Sequence, residues 1–203
     1  MRVIGRLDHF HICAIYLRTH SPAGPALPAD PAIAHRVFDR QNVDELLEQA
    51  TRPELDMTEE FIREAIGKGD FCTATLVDGK IVSYGWSAFT RTQYELDGVD
   101  IVFPSGYRYG YRAFTVPEFR GRRLRYGAMP LRDSYCAERG CTQSLAYIRI
   151  GNFASLKTVP RLGITRIGFA LLYKNGPRFI SWHSPGVKRI GLRFALRVDC
   201  KAH

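Results

Sequence analysis

An Asp-Gly pair, Asp78-Gly79, separates two runs rich in β-branched and aromatic residues, Phe71–Val77 and residues 80–89. A two-residue connection between twisted strands needs positive φ at both central positions, which Asp-Gly supplies, so this stretch is committed to an antiparallel hairpin. Asn175-Gly176 repeats the signal between residues 164–173 and Arg178–His183. Upstream of the first hairpin the apolar period is helical. Val43, Leu46 and Leu47 follow Asn42 and Glu45, and Phe61, Ile62, Ala65 and Ile66 follow Thr58, which predicts two short helices, the second stopped at Gly67. Residues 1–17 and Ile33–Phe38 read as extended, joined by a connection carrying Pro22, Pro25, Pro28 and Pro31. Residues 107–116 and 142–150 read as strands, and 122–139 and 152–162 as helices. The class this order predicts is α+β, a central mixed, mostly antiparallel sheet flanked by helices.

With 203 residues, 45% of them hydrophobic, the chain is long enough for one well-buried core and short for two independent ones. A single domain over 1–203 is expected: a first strand and proline-rich connection (1–32), a core (33–174), and a hairpin with a basic tail (175–203). No apolar run approaches the roughly 18 residues of a membrane span. The stretch 10–17 follows Arg2 and Arg6 as a leader would, but Asp8, His9 and His11 interrupt it. The five cysteines (Cys13, Cys72, Cys136, Cys141, Cys200) contain no C-x-x-C pair, which fits reduced thiols in the cytoplasm and no metal site. His9 and His11 share a strand-face spacing that can hold a metal; with no third ligand in view they read as surface or core histidines.

Charge is unevenly placed. Residues 1–103 hold 10 Lys/Arg against 16 Asp/Glu and residues 104–203 hold 19 against 4, so the halves carry −6 and +15 of the net +9. A basic half attracts phosphates, anionic lipid or an acidic protein surface. Neither an aromatic-basic RNA motif nor a helix-turn-helix pattern points to nucleic acid.

The basic half opens on residues 113–129, A-F-T-V-P-E-F-R-G-R-R-L-R-Y-G-A-M, where a strand runs through a short basic turn into a helix. Such a junction exposes backbone N–H groups and the positive end of a helix dipole, which suits an anion. It has neither the G-x-G-x-x-G of a dinucleotide loop nor the Gly-Lys-Ser/Thr of a P-loop.

Val116, Pro117, Glu118, Phe119, Arg120 and Gly121 resemble, in register, the V-x-P-x-Y/F-R-G-x-G-x-G/A loop of the GNAT N-acetyltransferase superfamily. Asn152-Phe153-Ala154-Ser155-Leu156 followed by Arg161-Leu162-Gly163-Ile164 is similar to its second signature, N-x-A-S then K-L-G-F, and lies one strand later, as in the family. The resemblance covers about residues 33–174 and implies an N-acyltransferase that moves acetyl from acetyl-CoA, or an acyl group from another thioester donor, to a small-molecule or peptide amine. It further implies that Phe114, Thr115 and Val116 hold the pantetheine arm and polarise the thioester carbonyl. Arg120, Gly121, Arg122, Arg123, Leu124, Arg125, Tyr126 and Gly127 would bind the pyrophosphate, and Asn152 and Ser155 would position the cofactor arm. Three departures stand out. Arginines occupy positions 123 and 125, where glycines are common; Val159 stands where many members have a proton-donating tyrosine; and Pro130 and Pro160 fall inside the two helices, which are therefore expected to be kinked or shortened. The arginines read either as charge for a phosphorylated donor or as a solvated helix face.

Catalytic candidates come from the strand before the loop, where Tyr107, Tyr109 and Tyr111 alternate with Arg108 and Arg112. Tyr109 and Tyr111 are the candidates to take the amine's proton, although a tyrosine stripe is more often a packed sheet face than a set of proton carriers. Glu95 and Glu118 are further carboxylates. Two alternatives remain open. One is an N-acyl amino acid synthase-like enzyme fed by acyl carrier protein, whose acidic surface would suit the basic half and a helical tail face of Arg189, Arg193 and Arg197. The other is a non-catalytic CoA- or partner-binding module; a homodimer is compatible with any of the three.

Overall fold

The computed structural model describes residues 9–20, 30–156 and 163–197. Its class is α+β, a mixed, mostly antiparallel sheet flanked by a few helices. Contacts are denser within two parts of the chain than between them. They group the chain into two compact units of interleaved segments, one of residues 1–19, 90–107 and 143–203, the other of residues 20–89 and 108–142.

The second unit is built on the first hairpin. Strands β2 (Ile33–Phe38), β3 (Phe71–Val77), β4 (Lys80–Ala88) and β7 (Tyr107–Thr115) run in the order β7-β4-β3-β2, every pairing antiparallel. Asp78 and Gly79 take φ of 49° and 75° between the paired Val77 and Lys80, the turn the dipeptide demands. Helices α1 (Val43–Ala50) and α2 (Glu59–Gly67) cover one face. Phe38, Leu46, Ile62, Cys72, Ala74, Tyr84 and Trp86 form the core beneath them. Thr58 caps α2 by accepting from the Phe61 N–H. Asn42 stands at the start of α1 but turns its amide back, accepting from the Asp39 N–H and donating to the Val37 carbonyl, so it closes the preceding turn and does not cap the helix.

The single helix expected over 122–139 is two, α3 (Leu124–Gly127) and α4 (Met129–Ala137), hinged at Ala128. Pro130 explains the break: proline lacks the N–H an interior position needs and is tolerated in a first turn, which is where it lies in α4. Arg122 and Arg123 precede the helix and do not belong to it.

In the first unit, β1 (Phe10–Thr19), β8 (Gln143–Arg149), β9 (Thr165–Asn175) and β10 (Arg178–His183) pair antiparallel in the order β10-β9-β1-β8. The apolar stretch 10–17 is thus a strand with a partner on each side. Asn175 pairs with Arg178, so the β9–β10 turn is Gly176-Pro177, one residue later than expected. Gly176 supplies the positive φ (54°) and Pro177 the fixed negative one. A small sheet of β5 (Arg91–Gln93), β6 (Val99–Val102) and β11 (Arg193–Leu196) was not legible in the sequence, because strands of three and four residues carry no period. It overturns the helical tail. Arg189 ends the short helix α6 (Pro185–Arg189), Arg193 lies in β11, and Arg197 donates twice to the buried Asp100 at 3.2 Å, so the three arginines share no face.

Candidate functional site

Strand β7 delivers the basic turn, and it is not a regular strand. Trp86 of β4 pairs with Tyr111 and Tyr84 with Phe114, leaving Arg112 and Ala113 together opposite Gly85. Arg112 takes φ of 42°. This is a β-bulge, which leaves one residue out of the ladder and reverses the alternation beyond it. Phe114 therefore joins Tyr111 on the core face, packing at 5.7 Å against Tyr84, while Ala113 turns to the other face beside Gly85. Sequence alternation, which sets Tyr107, Tyr109 and Tyr111 on one face and would carry on to Ala113 and Thr115, misses this because nothing in Arg112 announces a left-handed residue. The Arg112 side chain secures it: the guanidinium lies 4.0 Å over the Phe61 ring and donates to the Asp56 carbonyl at 3.0 Å.

Past the bulge, Ser83 bonds Thr115 at 2.7 Å and the Phe114 carbonyl at 3.1 Å, and the Val116 N–H donates to the Val82 carbonyl, which fixes the strand end. Residues 117–119 make one 3-10 turn; Glu118 is exposed in it. Gly121 then takes φ of 80° and Arg123 φ of 57°, a left-handed residue directly before right-handed α3. That alternation turns successive N–H groups to one side. Among the described residues the N–H groups of Gly121, Arg122 and Arg123 have no protein partner. Arg120, Arg122 and Arg123 are all exposed around them, Arg120 donating to the Thr115 carbonyl and Arg122 lying 5.0 Å over Phe119. Leu124 is buried beneath, its carbonyl accepting from Thr75, and Tyr126 closes on Arg123 through its N–H.

Arg123 thus holds the backbone conformation of the glycine common at its position, at a cost of about 1 kcal/mol for a residue with a Cβ. Arg125 does something else. Much of its side chain faces solvent, yet its guanidinium bends back against the sheet, Nη2 standing 4.0 Å from where a Cβ on Gly85 would be. The packed atoms around that head group lower its pKa by desolvation.

The tyrosine candidates are in the wall of the sheet. Tyr109 is buried. Tyr111 donates its hydroxyl to Asp70 at 2.6 Å and packs edge-on to Phe61. Burial, and then the Asp70 carboxylate, raise the Tyr111 phenol well above its ordinary value; burial pushes Asp70 up to about 6 against the relief of that hydrogen bond. Asp70 was not singled out from sequence, since its partner lies 41 positions away.

In the other unit, Asn152 accepts from the Ser155 N–H at 3.0 Å, so the two expected cofactor residues meet as cap and third residue of α5 (Phe153–Leu156). Val159 and Pro160 lie outside the described residues. Asn152 borders a cleft of about 670 Å³ with Phe10, His11, Ile12, Glu95, Arg149 and Ile150. Glu95 is held there by Tyr147 at 2.7 Å and Arg149 at 3.1 Å. His9 is exposed and His11 buried, its Nδ1 bonded to Tyr94 at 2.7 Å. No described helix is long and apolar enough to cross a membrane.

No family model and no curated protein matches the chain. Solved structures do. A Drosophila protein determined as a structural-genomics target is 11% identical at a TM-score of 0.49, over 87% of this chain and 52% of its own. A GNAT-family acetyltransferase from Colwellia psychrerythraea is 14% identical at 0.49, over 87% and 59%. AAC(6')-Iy, solved with the bisubstrate analogue CoA-S-monomethyl-acetylneamine, is 14% identical at 0.47, over 75% and 97%. Several of these similar structures are GNAT-family acetyltransferases. This chain spans little more than half the length of the first two.

Proposed function

We propose that the chain is a GNAT-type N-acyltransferase that binds the pyrophosphate of an acyl-CoA, acetyl-CoA in the simplest case, at the turn 120–127 and transfers its acyl group directly to an amine. One observation carries the reading: a bulged strand feeds a turn in which left-handed Gly121 and Arg123 present unpaired N–H groups among three exposed arginines. Such amides and cations suit a diphosphate and cost no reorganisation on binding. The strand end at Phe114–Val116 would hold the pantetheine arm. Asn152 and Ser155, cap and third residue of α5, remain candidates for the cofactor arm.

Transfer needs a neutral amine and a stabilised thiolate. Tyr111 is a weak proton acceptor, since its phenol already donates to Asp70 and burial opposes its ionisation; the proton is better taken by water. Thiolate departure can be supported by backbone amides without a dedicated acid.

Titration of CoA by calorimetry tests the placement. A Cβ at Gly121 would meet nothing within 4 Å, and asparagine tolerates positive φ, so Gly121→Asn isolates the backbone cost and Gly121→Asp adds a carboxylate. Affinity is expected to fall at least tenfold further in the Asp variant than in the Asn variant. Equal affinities would move the donor elsewhere. The exposed Arg122 and Arg123 also favour a second reading, acyl carrier protein as donor; tighter binding of acyl carrier protein than of CoA, lost in Arg122→Ser with Arg123→Gly, would select it.

A further inference from the structure

Acyl transfer leaves two buried thiols of the second unit without a role. Helix α4 ends with Gly140 at φ of 70°, and the Cys141 N–H returns to the Cys136 carbonyl at 2.9 Å. This left-handed helix end folds the chain back so that Cys141 comes beside Cys136. Both are inside, at 1% and 0% exposure. The third group arrives from 116 positions earlier: His20 donates its N–H to the Thr142 carbonyl at 2.8 Å and sets its Nδ1 3.1 Å from the Cys141 carbonyl. The ligand atoms of His20, Cys136 and Cys141 all lie within 4.8 Å of one another. We propose that these three residues form a zinc site with two thiolates, one imidazole and one open coordination position.

The donor set fits. Two sulfurs and one imidazole nitrogen are a tetrahedral zinc set lacking one ligand, and atoms about 2.0–2.3 Å from a tetrahedral metal stand roughly 3.5 Å apart, so side-chain adjustment closes the group. One hydrogen bond already sets the tautomer of the imidazole. A carbonyl only accepts, so Nδ1 carries the proton toward Cys141, and Nε2 keeps the lone pair; a histidine whose second nitrogen donates to a backbone carbonyl is the usual arrangement at zinc. Hydrogen bonding to Cys141 and burial raise the Cys136 thiol, while the positive charges of Arg108 and Arg132 act in the opposite sense. A divalent ion deprotonates coordinating thiols outright, releasing their protons to solvent. Half-buried His20 leaves the site a way in.

The competing account is that Cys136 and Cys141 are small apolar fillers against Phe71 and Tyr135. To separate them, the reduced, chelator-treated protein is titrated with Zn²⁺ against a chromophoric competitor, and with Co²⁺ to read the ultraviolet thiolate-to-metal band. One equivalent of Zn²⁺ and a cobalt–thiolate band are expected, with at least tenfold weaker affinity in Cys136→Ser, Cys141→Ser and His20→Gln. Cys72→Ser should bind as wild type does. Substituting a core thiol can damage the fold, so the deciding pair is wild type and His20→Gln: Zn²⁺ should raise the melting temperature of the first and leave that of the second in place. Absence of the cobalt–thiolate band, or Zn²⁺ affinity in the three variants equal to that of wild type, overturns the site. CoA binding, measured on the same metal-free protein, reads the acyltransferase proposal separately.

Discussion

The two faces of the β7-β4-β3-β2 sheet are made from neighbouring residues of the same strands and could hardly differ more. Toward α1 and α2 point Cys72, Ala74, Tyr84 and Trp86, joined by Tyr111 and Phe114 from β7. On the other face Thr73, Thr75, Ser83, Gly85, Ser87 and Ala113 follow from the pairings Thr73 to Gly85 and Thr75 to Ser83. Those side chains are small and mostly polar, with Phe71 and Val37 of the same face packed toward Cys136 and Cys141, and three of the hydroxyls are engaged: Thr75 with Leu124, Ser83 with Thr115, Ser87 with Arg108. The large face stores stability. The small one leaves room near the bulge, where the Ala113 methyl and the Arg125 guanidinium approach Gly85. A strand can serve both ends because its side chains alternate, and the bulge at Arg112 keeps the aromatic series on one side where strict alternation would have sent Phe114 to the other.

Three substitutions test that division. The largest effect is expected at Trp86, 1% exposed and edge-on to Phe61. Trp86→Ala should cost about 3–5 kcal/mol by chemical denaturation, because the cavity lies where α2 and the sheet cannot collapse. A loss under about 1 kcal/mol would mean that the large face is not the stabilising one.

Next comes the polar group set into the apolar face, Asp70 under Tyr111. Its pKa in the fold is raised from 3.8 to about 6, so the folded state binds more protons than the unfolded chain across that window. Stability contributed by this group is therefore present below 3.8 and lost as pH rises to about 6, above which the charged, buried carboxylate is a standing cost. Asp70→Asn keeps an acceptor for the Tyr111 hydroxyl and removes the titration. The stability of Asp70→Asn relative to wild type should climb by on the order of 3 kcal/mol across the window, a shift of about two units at 1.36 kcal/mol each. Parallel pH profiles for the two proteins would show that Asp70 is solvated.

The smallest effect belongs to the small face. Thr73 is 6% exposed and its hydroxyl has no hydrogen-bond partner among the described residues. Thr73→Val replaces that hydroxyl with a methyl group of the same shape in a strand that favours branching, and should stabilise by about 1 kcal/mol. Loss of stability would reveal a partner for the hydroxyl, and with it a wetter face than the packing describes.

Local chemistry was enough for much of the fold. Asp78-Gly79 specified its turn, Thr58 its helix start, and the strand, turn and helix around Val116–Gly121 were legible because each is a statement about residues within four or five positions of one another. The same holds for the break at Pro130, although its place had to be seen. Where the sequence misled, the deciding partner was remote. The tail arginines read as a helix until Asp100 claimed Arg197, and Tyr111 read as a proton carrier or packing residue until Asp70 stood 2.6 Å away.

By itself, then, the sequence determined the antiparallel hairpins, the α+β class and the basic turn, since backbone angles at glycine, proline and Asp-Gly are set by sterics that act within a few residues. Only the tertiary structure decided that Arg123 would take a left-handed glycine conformation, that Arg125 would fold back over Gly85, and that His20 would meet two thiols more than a hundred residues away. Those outcomes depend on which strands pair and in what register, and pairing is settled by the summed burial of whole faces, a quantity no single residue or short motif carries.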